Sequence, residues 1–179
     1  MPFLRYDAPL LAYIGWTLAA FSVTFFLNSF IEWLLHRFVL HRLTILSYPY
    51  RKHAQGHHVI FDGEKNYHAH DDFMRSHITF TALDYVLITL ACLPFWGGLE
   101  FLINRPIVPG CVLATLTGLQ LFQSFHWRFH VPSSTWFQGT RFFLFLKNHH
   151  RVHHEDPKKN FNVFFFPIAD IVLGTYQRR

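Results

Sequence analysis

The chain has 179 residues, a formal net charge of +5, an apolar content of 51% and 22 phenylalanines. That length suits one domain, taken here as residues 1–179. Its two cysteines, Cys92 and Cys111, both sit in apolar stretches, which counts against a disulfide framework and a thiolate metal site. Lys and Arg are dispersed along the chain with no separate basic domain, which counts against nucleic acid as a partner.

The first element is uncharged from Leu10 to Ile31. It runs directly into Asn28-Ser29-Phe30-Ile31-Glu32-Trp33, with no small-residue cleavage site, so it reads as a retained span and not a signal peptide. About 20 apolar residues suffice to cross the hydrocarbon core. A second apolar segment runs from Ile78 to Ile103, interrupted by Asp84, Pro94 and Gly97-Gly98. A third runs from Ile107 to Phe125, and only Asn104, Arg105 and Pro106 separate the two, which predicts an antiparallel helical hairpin. Thr135–Leu146 and Phe161–Tyr176 are aromatic, apolar and short. They read as interfacial or packed under a polar cap, with a fourth span or a re-entrant hairpin as the alternative. The predicted fold is all-α: an integral membrane bundle of three to four transmembrane helices with a cytosolic, histidine-rich helical cap.

Charge supports this topology. Every Lys and Arg except Arg5 and Arg105 falls in 32–77 or 126–179, and so do all fourteen histidines. The positive-inside rule places these segments in the cytoplasm, for a bacterial inner membrane or the endoplasmic reticulum.

The histidines form four boxes, at 36–41, 53–58, 126–130 and 149–154. On an α-helix, His126 and His130 share a face, as do His150, His153 and His154, because positions three and four apart are neighbours. His53 and His57 share a face, with His58 turned about 100° away, and His36 and His41 sit about 140° apart unless the helix ends between them. His149 is four residues before His153 and is carried as an additional candidate. His68, His70 and His77 lie outside any doublet and read as surface or supporting residues. So many imidazoles converging at a membrane surface would repel one another if protonated. Neutral imidazole is instead a metal ligand, and the number of rings exceeds what one ion accepts, so two ions taking four or five each account for it. Zinc does not change oxidation state, and no bridging carboxylate sits inside a box, so redox iron is the expected metal.

The boxes, their order around a transmembrane hairpin, and the tail resemble the membrane fatty acid hydroxylase / sterol desaturase superfamily. The likeness is strongest to its fatty acid 2-hydroxylase branch. Leu146-Lys147-Asn148-His149-His150-Arg151-Val152-His153-His154 resembles that branch's last box. His57-His58-Val59-Ile60-Phe61-Asp62-Gly63 is similar to the second box and its sequel. Asn160-Phe161-Asn162-Val163, Asp170 and Gly174-Thr175 are similar to the family's ending. Between His53 and His57 stand Ala54, Gln55 and Gly56, where that branch usually has two residues and related desaturases tolerate three. The resemblance implies a cytosol-facing pair of metal ions held by His36, His41, His53, His57, His58, His126, His130, His150, His153 and His154. It also implies diiron chemistry, with zinc as an occupant of the isolated protein, and a separate electron donor (a b-type cytochrome, or a ferredoxin with its reductase).

The expected activity is O2-dependent hydroxylation of a lipid C–H bond, on a fatty acyl or sphingolipid-type substrate drawn from the bilayer. Beside it stand a lipid, sterol or carotenoid desaturase or hydroxylase and, from another class, a non-catalytic metal-binding or metal-transport membrane protein. Ligands near the bilayer midplane would be expected of a transporter, and the boxes lie beyond the span ends. Glu32, Asp84, Asn160 and Asp170 are the candidates to accept the free ring N–H groups of ligating histidines. Asp84 is singled out because an ionisable group in a span is a functional candidate. The competing reading is a helix-end aspartate near the headgroups.

Overall fold

The computed structural model describes residues 9–43, 47–63, 65–163 and 167–179. Arg5 and residues 164–166 of the Phe161–Tyr176 segment lie outside the described residues. Among those residues every regular element is helical. Three helices are long and apolar enough to cross a membrane: Leu10–Leu40, Ala82–Ile103 and Val108–His130. No fourth span accompanies them there. Thr135–Leu146 divides into a 3-10 turn, Trp136–Gly139, and the start of a helix at Arg141–Glu155, whose 15 residues fall short of the bilayer. The described part of Phe161–Tyr176 holds only a short helix, Ile168–Val172.

The chain forms two compact units, Met1–Asn28 with Phe80–Gln120 and Ser29–Thr79 with Leu121–Arg179. The first contains most of the helix α1 (Leu10–Leu35), together with α5 (Ala82–Ile103) and the first half of α6 (Val108–His130). Large apolar side chains stand outward on each of these helices, among them Leu11, Phe26, Leu90, Phe101 and Leu113. Such a surface suits lipid and would be an aggregation liability in water.

Lipid tails give helices no hydrophobic reason to associate, so small residues and interhelical hydrogen bonds hold the unit together. Gly110, Ala114 and Gly118 follow one another at four-residue spacing on α6. A Cβ at Gly110 would collide with the Thr17 carbonyl and lie 2.9 Å from the Phe21 nitrogen, and one at Gly118 would meet the Asn28 amide. Around this close approach Thr24 Oγ1 donates to Cys111 Sγ at 3.3 Å and Asn28 Nδ2 donates to the Ala114 carbonyl at 3.0 Å. Gly110→Val forces the backbones of α1 and α6 apart, and we expect it to cost at least about 3 kcal/mol by overpacking. Gly15→Ala, with nothing within 4 Å of its Cβ, should be neutral in the same denaturation assay.

The α5–α6 hairpin closes where Asn104 takes a left-handed conformation at φ 50° and ends α5. Glu100 then caps α6, its Oε2 accepting from the Ile107 and Val108 nitrogens at 2.8 and 2.7 Å. At the other end of α5, Asp84 completes a capping box. Its Oδ2 accepts from the Thr81 nitrogen and hydroxyl at 2.7 and 2.9 Å, and Thr81 Oγ1 accepts from the Asp84 nitrogen at 3.3 Å. The described contacts of Asp84 are thus those of a helix-end aspartate, the competing reading of its role.

The second unit takes the ends of α1 and α6 and builds on them α2 (Ser47–Lys52), α3 (His58–Ile60), α4 (Asp72–Ser76), α7 (Arg141–Glu155) and α8 (Ile168–Val172). Its apolar centre includes Trp33, Phe161 and Ala169, with Phe30 against them, and the fully buried Phe61, Phe129, Phe143 and Leu146. The tail after α7 is tied into this core by polar side chains. Trp33 Nε1 donates to Thr175 Oγ1 at 2.8 Å, and Asn162 Nδ2 donates to the Ser29 carbonyl at 2.7 Å. Asn160, left-handed at φ 53°, donates from Nδ2 to the carbonyls of His149 and Gln177.

Candidate metal centre

The second unit brings ten imidazoles into two groups of five. One consists of His36, His41, His53, His58 and His153, the other of His57, His126, His130, His150 and His154. Within each group one ring nitrogen per residue lies within 4.8 Å of the others. Every ring of the second group is buried, whereas His41, His53 and His58 of the first are partly exposed.

Local helix geometry explains who joins which group. His126 and His130 on α6, and His150 and His154 on α7, are i, i+4 neighbours on regular α-helices and all enter the second group. The adjacent pairs His57-His58 and His153-His154 split between the groups, because consecutive helical residues are turned about 100° apart. The first two boxes do not follow α geometry. His36–Leu40 and His53–His57 are π turns, closed by hydrogen bonds from the His41 and His58 nitrogens to the His36 and His53 carbonyls. An i→i+5 turn stacks residues five apart. The rings of His36 and His41 lie 5.1 Å apart at 23°, and His53 and His58 approach to 3.1 Å between Nε2 atoms. The expected pairing of His53 with His57 on one face is thus corrected. His53 shares its group with His58, and His57 turns to the other. The third residue between His53 and His57 is what the π turn absorbs. Deleting the exposed Gln55 would make the two outer histidines i, i+4 on an α turn, and we expect the metal content found by elemental analysis to equal that of the unaltered protein. Loss of an ion would show that the π turn itself is required.

Main-chain carbonyls orient five of these rings from behind. The Nδ1–H of His57 donates to the His77 carbonyl at 3.0 Å, that of His130 to Tyr67 at 2.8 Å and that of His153 to Lys159 at 2.7 Å. Those of His36 and His154 donate to the carbonyls of Phe161 and Phe61. The loop that supplies Phe61 closes on α7 at Gly63, where φ is +80° and a Cβ would lie 2.9 Å from the Glu155 nitrogen.

This changes the roles expected of the polar candidates. Glu32 accepts from the Val163 nitrogen at 2.6 Å and from Asn162 Nδ2 at 3.3 Å, so its described contacts hold the tail. Asn160 ties that tail to α7. Asp170 accepts from the nitrogens of Phe161 and Asn162, from Thr175 Oγ1 at 2.7 Å and from His149 Nε2 at 3.0 Å. Burial raises the Asp170 pKa, but the hydrogen bonds from His149, Thr175 and Asn162 outweigh it and leave the carboxyl below its ordinary value. His149, carried as an additional ligand, is therefore committed to a buried pair with Asp170 and joins neither group. His68, His70 and His77 also stay outside both groups; His77 contributes its carbonyl and not its ring.

The profile of the fatty acid hydroxylase family matches residues 21–175. The chain belongs to this family. Neither curated protein sequences nor solved structures yield a match. Fatty acid hydroxylases of this superfamily are oxygen- and metal-dependent membrane oxidoreductases, and the donor set of this member can be tested against a bound ion.

The test is the proton inventory of the rings. His57 and His154 each carry their proton on Nδ1, yet their Nε2 atoms face each other at 3.2 Å. Two bare lone pairs at that distance repel unless a cation lies between them. Protonating one ring would also relieve them, but burial, reinforced by the neighbouring imidazoles, holds both histidines well below the ordinary histidine range. Similar Nε2 separations recur: 2.9 Å for His36–His53, 3.0 Å for His41–His153 and His150–His154, and 3.1 Å for His57–His126 and His130–His150. Two nitrogens about 2.1 Å from one ion and at right angles to each other would lie about 3.0 Å apart. The residues therefore fit two ions with all-imidazole coordination, five nitrogens to each.

Burial acts likewise on the rest of the set outside the spans. It pushes His41 down to about 3 and His153 to about 4, and it lowers His53, His58 and His150 well below the histidine range. These rings are neutral near pH 7, the form that binds metal.

Proposed function

We propose that the chain is a membrane-embedded diiron hydroxylase that inserts an oxygen atom from O2 into a C–H bond of a fatty acyl or sphingolipid-type lipid. The observation that carries this reading is the convergence of ten imidazoles in two groups of five, each offering one ring nitrogen within 4.8 Å of the others in its group. Bound iron would supply the redox chemistry: C–H and O2, with two electrons and two protons from outside, become C–OH and water. The chain's own contribution is to position and insulate. Main-chain carbonyls aim His36, His57, His130, His153 and His154. Phe61, 0% exposed and 4.4 Å from the His130 ring, and the buried Phe129 exclude water from the second group. Imidazole ligands suit iron, and the donor groups include no thiolate or carboxylate.

The electrons come from a separate carrier, a b-type cytochrome or a ferredoxin with its reductase, and the histidine groups face the cytoplasm. The clustering of Lys and Arg in the same segments supports that side. The second reading is desaturation, in which the same lipid loses two hydrogens. It draws on the three-residue spacing between His53 and His57, which related desaturases share. Mass spectrometry of lipids from cells expressing the protein under 18O2 separates the two. Hydroxylation adds one labelled oxygen, desaturation removes two hydrogens, and lipids unchanged from those of the His150→Ala variant would overturn both.

A further inference from the structure

Away from the two histidine groups, the second unit carries a cleft of about 410 Å³ between the start of α7 and the C-terminal segment. Arg141, Arg178 and Arg179 line it, and no acidic residue does. Leu144, Phe145 and Tyr176 give it an apolar wall. Arg179 is steadied by Glu155 at 2.9 Å. His149 also lines the cleft, although it is only 3% exposed. Its Nε2 pairs with Asp170 Oδ2 at 3.0 Å, and the ring's second nitrogen, Nδ1, has no hydrogen-bond partner. The surroundings are apolar outside the three spans as well: Trp136, Phe142 and Leu144 before and on α7, and Ile171 and Val172 on α8, all stand exposed.

We propose that this cleft binds an anionic phospholipid of the surrounding leaflet whose headgroup carries a hydroxyl, of the phosphatidylglycerol or phosphatidylinositol type. Guanidinium groups pair with phosphate oxygens, often in bidentate fashion. Arginines beside exposed aromatic and aliphatic side chains match a ligand that is charged at one end and apolar at the other. The headgroup hydroxyl, which both donates and accepts, supplies the partner that His149 Nδ1 lacks. A membrane lipid is favoured over a soluble acidic protein because the cationic edge is continuous with apolar side chains that water would not leave bare. This proposal does not depend on the metal reading, since none of the ten converging rings lines the cleft.

Native mass spectrometry of the full-length, metal-loaded protein tests it, with short-chain phosphatidylglycerol, short-chain phosphatidylcholine and inorganic phosphate as probes. We expect one phosphatidylglycerol to be retained in preference to phosphatidylcholine. Arg141→Glu with Arg178→Glu should lower that affinity at least tenfold while the metal content stays unchanged. Tyr176→Ala should weaken it through the apolar wall alone. Equal retention of both lipids, or undiminished binding by the double variant, would overturn the proposal. So would inorganic phosphate competing as well as the lipid, which would make this a free-anion site. If an acidic electron carrier and not the lipid loses affinity in the double variant, the cleft is a protein-docking face and the lipid assignment falls.

Discussion

Replacing His154 with alanine should remove one of the two metal ions and lower lipid oxidation at least about a hundredfold, beyond the tenfold to hundredfold that perturbing a ligand's support costs. His154 is the ring to choose because its Nε2 approaches two partners of the second group, His57 at 3.2 Å and His150 at 3.0 Å, while its Nδ1–H is anchored on the Phe61 carbonyl. Removing it opens one side of a fully buried group and leaves the other group's five rings in place. The informative control is the neighbouring His149→Ala. It deletes a buried partner of Asp170 and should destabilise the tail, yet elemental analysis of the folded protein should still find both ions. If His154→Ala retained two ions and His149→Ala lost one, the assignment of rings to groups would be wrong.

Acidification should strip the two groups unequally. Their rings outside the spans titrate below the ordinary value of 6.5, His41 at about 3 and His153 at about 4, with burial the leading cause. For a base whose folded pKa is lowered, the sign is fixed. Above about pH 6.5 the folded and unfolded rings are alike neutral and nothing is lost. As the pH falls below that value, unfolded or opened rings take up protons that the folded ones refuse, so the closed, metal-holding form loses stability down to about pH 4. The first group opens more easily. Three of its rings are partly exposed, and four of the five stand on short π turns or their caps. The second group is fully buried, and four of its rings stand on the long helices α6 and α7. Local opening follows such differences in burial and support. Incubation with a chelator at pH 5.5 should therefore release metal in two phases of about one ion each, with the faster phase abolished in His41→Ala. A single phase releasing both ions together would mean the two groups open as one unit.

How much of this was legible in the sequence depended on the helix type. Boxes on regular α-helices were legible in part: His126 with His130 and His150 with His154 are i, i+4 pairs, and the structure places each pair in one group, whereas His153, expected on the same face as His150 and His154, joins the other group. The first two boxes misled because α periodicity was applied where the chain forms π turns. On an α-helix, residues five apart diverge, whereas the i→i+5 bonds at His36 and His53 bring them together, and nothing local in His36-Arg-Phe-Val-Leu-His41 announces that turn. The acceptors behind the rings were illegible for a different reason. Every residue has a carbonyl, so the use of Phe61, Tyr67, His77, Lys159 and Phe161 leaves no mark in side-chain identity. The carboxylates of Glu32 and Asp170, which do stand out in the sequence, fasten the tail instead. Two signals were present and passed over. The small-residue repeat Gly110, Ala114, Gly118 marks the close approach of α1 and α6. Glu100, an acid near the end of an apolar segment, marks the cap of the helix that follows.

The central claim is that two five-imidazole groups each hold one metal ion. Anomalous diffraction at the iron edge, on crystals of protein purified with iron in a lipid-like phase, tests it most directly. The expected result is two peaks per chain. One would lie among His36, His41, His53, His58 and His153, and the other among His57, His126, His130, His150 and His154. A single peak, or peaks outside these rings, would contradict it.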